Sequence, residues 1–387
     1  MSLDLSVFLS SPAHNEFRSD TFTTPTQSMV QALATTSLGD AVYNEDSVTS
    51  QLESKVAKLA GKDAGLYCVS GTLLNQIALR TNLLQPPHAV LCDHRSHVYV
   101  HEAGGLPTLS QAMVQAIAPK NGIHLTLEDD IIPNFVPDDY EIHACPTKVI
   151  SLENTLHGML FPLDEIKKIS AFCKDNNVRL HLDGARLWNA SAETGIPLAE
   201  YCSYFDSVSL CLSKTLGAPV GSVLVSDKKF NLKANHFRKQ NGGGIRQSGL
   251  LALMAIVAID ENFPKLKATH ELAKKIADFC VKEGYVLAHP TETNFVFLDF
   301  AANKINNDVF VKACEKYNIK AYGSRLAFHY QISEEAIENL KKVLKVTMEE
   351  AKKNPYEEKK SLSSTVPEMK SNKSRLEGFP LTLFLPK

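Results

Sequence analysis

With 387 residues, 44% hydrophobic and 22% charged, the chain is long enough for one large domain and a smaller satellite, and its make-up is that of a soluble globular protein. A formal net charge of −2 gives no electrostatic case for nucleic acid or an anionic membrane, and no stretch approaches the roughly 20 apolar residues of a spanning helix. Eight cysteines are scattered without a C-x-x-C pair, which argues against zinc and redox motifs and fits free thiols in a reducing cytosol.

The opening stretch MSLDLSVFLSSPAHNEF has a short apolar run with no basic region before it, so it reads poorly as a signal peptide, and the closing LPK matches no address. From about residue 48 to 260, short apolar runs alternate with helical patterns, as a parallel α/β sheet requires. VTSQLESKVAKLAG (48–61) predicts an amphipathic helix ended by Gly61. GLYCV (65–69) predicts a strand, followed by a helix over TLLNQIALRTNLL (72–84). HAVLC, TKVISL, VRLHL, SVSLC and GSVLV are further strands, and PLDEIKKISAFCKDN is a crossover helix with Pro162 in its first turn. The apolar helix IRQSGLLALMAIVAIDENF runs to Pro264, where a second unit begins. Within that unit the strands TNFVFLDF and RLAFHY alternate with helices. The expected division is an N-terminal arm over 1–25, a large domain over 26–262, a smaller α+β domain over 263–352, and a polar, flexible tail over 353–387. The tail ends in an apolar FPLTLFLP whose docking on the body is left open.

In open α/β sheets ligands bind beyond the carboxyl ends of the strands, so polar residues directly after the apolar runs are the candidates. Lys214 stands alone in CLSKTLGAPVGSVLV, between two strands. It reads either as a lysine that snorkels to the surface or as a desolvated amine able to form a Schiff base. Ser70, Gly71 and Thr72 open a helix and read either as a simple N-cap or as an anion site. Asp183 and Arg186 stand at the start of the next helix after VRLHL; Asp183 reads as a helix cap or as the ion-pair partner of a protonated ring nitrogen, and Arg186, three residues on, would reach the same face. DHRSHVYVHEAGG holds His97 and His101 at i, i+4, but without the H-E-x-x-H pattern of a metal site, so no metal is expected. His97 reads as structural, catalytic or ring-stacking.

Each signal is weak alone, and their order is informative. An anion loop at 70–72, a histidine at 97, an aspartate at 183 and a lysine at 214 form the series that a fold-type-I pyridoxal-phosphate enzyme needs. That cofactor requires a cradle for its phosphate, a flat group over its ring, a carboxylate at its pyridine nitrogen and a lysine at its aldehyde.

The chain resembles the low-specificity threonine aldolases, in the β-eliminating-lyase group of fold-type-I pyridoxal-phosphate enzymes. The resemblance is carried by RSDTFTTPT (18–26), GDAVYNED (39–46), SGTLLNQIA (70–78), SLENTLHG (151–158), HLDGARLWNA (181–190), LSKTLGAPVGS (212–222), RKQNGGGIRQSG (238–249) and RLAFHY (325–330). It implies a transferase-like α/β fold with a mostly parallel sheet in the large domain. It also implies retro-aldol cleavage of L-threonine or L-allo-threonine to glycine and acetaldehyde, in glycine biosynthesis and threonine catabolism. By resemblance, Lys214 bonds the cofactor aldehyde, Asp183 holds its pyridinium, and Ser70, Gly71 and Thr72 hold its phosphate. His97 stacks on the ring, Arg186 sits near the ring hydroxyl and the substrate, and Arg325 with Ser19 takes the substrate carboxylate. Tyr43, Lys239 and Arg246 match positions presented to a neighbouring subunit, which implies a homo-oligomer in the cytoplasm, a tetramer with the dimer as minimal active unit. Many bacterial members read L-E-N-T-H where this chain reads Leu152-Glu153-Asn154-Thr155-Leu156-His157, so His157 is offset by one from the family's histidine. His97 and His157 are the two candidates for the base. The competing expectations are a β-eliminating lyase for aromatic or thiol-bearing amino acids and a catalytically silent cofactor-binding protein. A nicotinamide enzyme is disfavoured because no G-x-G-x-x-G follows a strand.

Overall fold

The computed structural model describes residues 11–357. The start of the expected N-terminal arm and the tail beyond residue 357, with its FPLTLFLP segment, lie outside the described residues. The described chain divides into two compact units, one over Thr23–Lys267 and one joining residues 11–22 to 268–357.

Seven strands build the first unit: β1 (Ala64–Cys68), β2 (Ala89–Asp93), β3 (Met113–Ile117), β4 (Thr147–Glu153), β5 (Arg179–Gly184), β6 (Ser207–Cys211) and β7 (Ser222–Ser226). They form one sheet in the order β1-β7-β6-β5-β4-β2-β3. β7 runs antiparallel to β1 and β6, and all other pairs are parallel. The six strands expected from the sequence form. β2, β6 and β7 are buried along their whole length, which is why they read as continuous apolar runs. β3 was not expected from the sequence. It is a sheet edge with Met113 exposed and the rest half-buried, so MVQAI lacks the uninterrupted apolar signature of its neighbours.

The helices follow their local chemistry. The helix Ser47–Leu59 begins where the Asp46 carboxylate accepts the Thr49 amide at 2.8 Å, and Gly61 turns the chain out at φ +62°. The crossover helix spans Leu163–Asp175, with Pro162 at its N-cap rather than inside its first turn. The long apolar helix covers Gly249–Asn262, starting later than the expected Ile245; Asp46 accepts the Gly249 amide, and any Cβ at Gly249 would lie 2.6 Å from that carboxylate. Leu52, Val56, Ile166, Ile169, Ala255 and Ile259 from these helices share one core with Leu180, Leu182, Val208, Leu210, Val223 and Val225 of the sheet. Burial of each large aliphatic side chain there contributes about 1.5–3 kcal/mol.

After Pro264 the chain enters the helix Leu266–Glu283, and the division between units falls in that helix's first turn. The second unit pairs β8 (Phe295–Phe297) antiparallel with β9 (Arg325–Ala327), both shorter than the apolar runs that announced them. The helices Asn307–Lys316 and Glu334–Lys353 cover its core of Val296, Phe310, Leu326, Phe328, Leu340 and Leu344. Phe17 is wholly buried in that core, where its amide donates to Lys320 O at 2.8 Å and its carbonyl accepts Ala327 N at 2.9 Å. The segment at 11–22 is thus part of the small unit.

Candidate active site

The carboxyl ends of β4, β5 and β6 bring the first set of candidates together. Asp183, 4% exposed, is the second-last residue of β5, with Glu153 of β4 and Ser209 of β6 as register partners. Its Oδ2 accepts Asn75 Nδ2 at 2.7 Å and its Oδ1 accepts Ala185 N at 3.0 Å. The next helix starts only at Leu187, with Arg186 at its N-cap. Arg186 thus stands at the start of that helix as expected, and the placement of Asp183 there is corrected. Asp183 belongs to the strand, and its carboxylate is not the helix cap.

His97 opens the short helix His97–Val100. Its amide donates to Glu153 Oε2 at 2.8 Å, and its ring Nδ1 lies 2.8 Å from Glu102 Oε1. Burial pulls the His97 pKa down. The hydrogen bond to Glu102 and the charges of Asp183 and Glu153 outweigh that, and the net shift is upward. Burial, reinforced by the charge of Asp183, pushes the Glu153 carboxyl up to about 7, while His97 and Lys214 ease it. His101 is exposed, its ring centroid 5.6 Å from that of His97. The three groups whose ligand atoms lie within 4.8 Å of one another are instead His97, Glu102 and Asp183. The amide of Asn75 is already bonded between those two carboxylates.

Lys214 lies in the turn after β6, half-buried. Its carbonyl accepts Gly217 N at 2.9 Å and Thr23 Oγ1 at 2.8 Å, which fixes the backbone from which the side chain leaves. Gly221 closes this loop at φ +113°, where a Cβ would strike the Tyr67 ring at 2.3 Å. At the end of β1, Ser70 Oγ accepts Leu73 N at 3.1 Å and caps the helix Gly71–Asn82. The N-cap reading of Ser70 thus holds for its hydroxyl. The first-turn amides of Gly71 and Thr72 are the groups that the helix itself does not use. Ser222 Oγ is buried without a partner among the described residues, 3.6 Å from where a Gly71 Cβ would stand.

Arg186 is half-buried, with its amide 3.4 Å from Asn154 O. His157 is also half-buried, at φ +52° in the loop after β4. Arg325 and Ser19 belong to the second unit. Arg325 opens β9, donates from Nη2 to Arg18 O at 3.0 Å, and sits 5.5 Å from the Phe295 ring centroid. Ser19 Oγ accepts Thr21 N at 3.3 Å and Thr21 Oγ1 at 3.0 Å. Tyr43, 70% exposed, ends the turn Ala41–Tyr43. Arg246 is tied to that turn through Asp40 Oδ2 at 2.7 Å and through its carbonyl, which accepts Ala41 N at 2.7 Å. Lys239 is exposed near the end of the helix Lys228–Gln240.

Sequence reasoning missed Asn75, Gln76, Glu153 and His181 as parts of this cluster; Glu102 stands in DHRSHVYVHEAGG beside the candidate histidines. Burial pulls the His181 pKa down to about 4, and its ring lies between Ser207 Oγ at 2.9 Å and Asn75 Oδ1 at 3.3 Å. Glu153 lies in SLENTLHG and His181 opens HLDGARLWNA, beside candidate residues. Asn75 and Gln76 lie in SGTLLNQIA, where an amide pair on a helix has no chemical signature of its own.

Residues 16–303 match the family model described as beta-eliminating lyase. The chain belongs to the β-eliminating lyase family. It is 58% identical over 347 residues to a low-specificity L-threonine aldolase of Eremothecium gossypii, covering 89% of this chain and 91% of that protein. With a low-specificity L-threonine aldolase of Saccharomyces cerevisiae the identity is 54% over 346 residues, 89% of each chain. A solved threonine aldolase structure from Leishmania major superposes with a TM-score of 0.71 at 21% identity, covering 85% of this chain and 98% of that one, which fixes the fold. β-Eliminating lyases are pyridoxal-phosphate enzymes in general, and this chain is a lyase of that family.

Proposed function

We propose that this lyase is a low-specificity threonine aldolase, cleaving L-threonine and L-allo-threonine to glycine and acetaldehyde with pyridoxal phosphate. The observation that carries the reading is the buried Asp183 carboxylate, aligned by Asn75 and Ala185 at the sheet's carboxyl end, with Lys214 in the turn that follows the adjacent strand. The residues present fit the cofactor. Asp183 stands with Glu102 and Glu153 as neighbouring acids, an environment that favours a cationic ring nitrogen. The unused amides of Gly71 and Thr72, beside the unpartnered Ser222 hydroxyl, suit a phosphate at a helix start.

When bound, pyridoxal phosphate supplies the electron sink that lets the Cα–Cβ bond break. Lys214 would hold it covalently, and Asp183 would keep a proton on its ring nitrogen. Gly71 and Thr72, with Ser70 shaping the turn, would bind its phosphate. His97 would cover the ring, and Arg186 would lie by its hydroxyl. Arg325, planar and bidentate, fixes the substrate carboxylate with help from Ser19. His97 or His157 takes the β-hydroxyl proton, acetaldehyde departs, and a proton returned to Cα completes glycine. Placement in glycine biosynthesis and threonine catabolism, a cytoplasmic location and a tetramer with the dimer as minimal active unit belong to the same proposal, with Tyr43, Lys239 and Arg246 serving a neighbouring subunit. The cofactor belongs to the unit Thr23–Lys267, and the smaller unit joins residues 11–22 to 268–357.

The test is the absorption spectrum of the purified protein followed by product analysis with L-threonine. Glycine and acetaldehyde in equal amounts support the aldolase. 2-Oxobutyrate and ammonia in excess over glycine would establish β-elimination instead.

A further inference from the structure

Glu102 is the most enclosed acid beside His97: its side chain has no exposed surface. A carboxylate in that position is costly unless every lone pair finds a donor. Three side chains supply them. Oε1 accepts Asn75 Nδ2 at 2.9 Å and lies 2.8 Å from His97 Nδ1, while Oε2 accepts Gln76 Nε2 at 2.6 Å. Gly105 makes room for this arrangement, since a Cβ there would lie 2.5 Å from the Gln76 amide carbon.

Asn75 extends the chain of bonds. Its second amide hydrogen goes to Asp183, and its Oδ1 accepts Ser209 Oγ at 2.7 Å and His181 Nε2 at 3.3 Å. Because both carboxylates only accept, the amide nitrogen must face them and the oxygen must face the two donors, so the orientation of Asn75 is determined. The same logic applies to the ring of His97. An ionised carboxylate cannot donate, so the nitrogen facing Glu102 must carry hydrogen.

We infer that Glu102 is a positioning residue for His97: it keeps a proton on Nδ1, leaves Nε2 as the nitrogen that exchanges protons, and is itself aligned to Asp183 through Asn75. The inference deepens the proposed function, on which the role of His97 rests. The charged or titratable groups around the ring are Glu102, Asp183 and Glu153, which favour its cation, and the neighbouring ring of His101. Among the described residues, Glu102 is the hydrogen-bond partner of the ring nitrogen.

The test reads the His97 ring directly, by NMR of the histidine-labelled holoenzyme and of the cofactor-free protein, with His97→Gln used to assign its signal. In the wild type the ring should be the Nδ1–H tautomer with a pKa above the ordinary value. In Glu102→Gln the burial of the ring is no longer offset, so its pKa should fall by about one unit or more and the tautomer preference should be lost. With threonine, the acid limb of the pH profile should move down with the ring, and kcat should fall more than KM rises. Gln76→Met removes one donor from Glu102 and leaves its contact with His97. That makes the carboxylate more basic and should move the ring pKa upward. This opposite sign decides the matter if Glu102→Gln does not fold. An unchanged tautomer and pKa in Glu102→Gln, or no rise in Gln76→Met, overturns the inference. Failure to form glycine and acetaldehyde would defeat the aldolase reading and leave the ring measurement standing.

Discussion

Glu153 and Asp183 are register partners on neighbouring parallel strands, so two carboxyl groups stand side by side at the carboxyl end of the sheet. Water cannot screen them well there. Asp183 is bonded by Asn75 and Ala185, and burial, reinforced by the charge of Asp183, raises the Glu153 carboxyl to about 7.

Glu153→Gln should alter stability in a pH-dependent way. The Glu153 carboxyl is raised from 4.5 to about 7, so the folded protein binds more protons than the unfolded chain between those values. Wild-type stability therefore falls as pH rises through that window, by up to about 3 kcal/mol for this group. In cofactor-free protein, Glu153→Gln should be more stable than wild type at pH 8 and nearly equal at pH 4.5. Denaturant titrations across the range check this, and parallel wild-type and variant curves would refute it.

His181 has the opposite dependence. Its ring is held neutral between Ser207 and Asn75, with the pKa lowered from 6.5 to about 4 by burial. Its contribution is complete above pH 6.5 and is lost as pH falls toward 4, on the order of 3 kcal/mol. His181→Asn should be less stable at neutral pH and should show a flatter acid limb. The same titrations, extended to acid pH, decide the point.

Lys214→Ala should abolish turnover and remove the visible absorption band of bound cofactor, while far-UV circular dichroism stays that of the wild type. The backbone of the turn is held by Thr23 and Gly217, neither of which needs the lysine side chain. A borohydride-reducible adduct in this variant would identify another lysine as the carrier.

The sheet was legible because buried parallel strands must be apolar throughout, and Lys214 and Asp183 were legible because polar residues at such strand ends need a reason. β3 was hidden by its position at an edge, where Gln115 and the exposed Met113 break the pattern. The supporting network was hidden for a different reason. Asn75 satisfies two carboxylates and two donors that lie on three other segments, and sequence spacing carries no trace of such convergence. Asp183 was taken to start a helix because strand and helix are separated by only two residues, Ala185 and Arg186.

Arg246→Glu tests the proposed role of oligomerisation. The Arg246–Asp40 pair lies at the surface, so its loss should leave the fold and thermal stability of the chain nearly unchanged. It should nevertheless release the turn that presents Tyr43, lowering both association and activity. Analytical ultracentrifugation at the assay concentration measures the first, and a monomer with full specific activity would refute the dependence.

Arg325→Lys addresses the substrate side. The guanidinium of Arg325 is anchored by the Arg18 carbonyl at 3.0 Å and lies against the Phe295 ring, so its plane is oriented before substrate arrives. A planar fork can give a carboxylate two parallel hydrogen bonds, whereas an ammonium offers a point charge on a flexible stem. The replacement keeps the charge and loses the geometry. Loss of one charge-assisted hydrogen bond is worth roughly 1.5–3 kcal/mol, which corresponds to a decrease of about ten- to a hundredfold in kcat/KM for threonine. Both KM and kcat should respond, because the carboxylate also sets which bond at Cα stands across the plane of the cofactor. The cofactor absorption band should be unaffected, which separates this variant from Lys214→Ala. Steady-state kinetics with L-threonine and L-allo-threonine measure the effect, and an unchanged kcat/KM would show that the carboxylate is held by another residue.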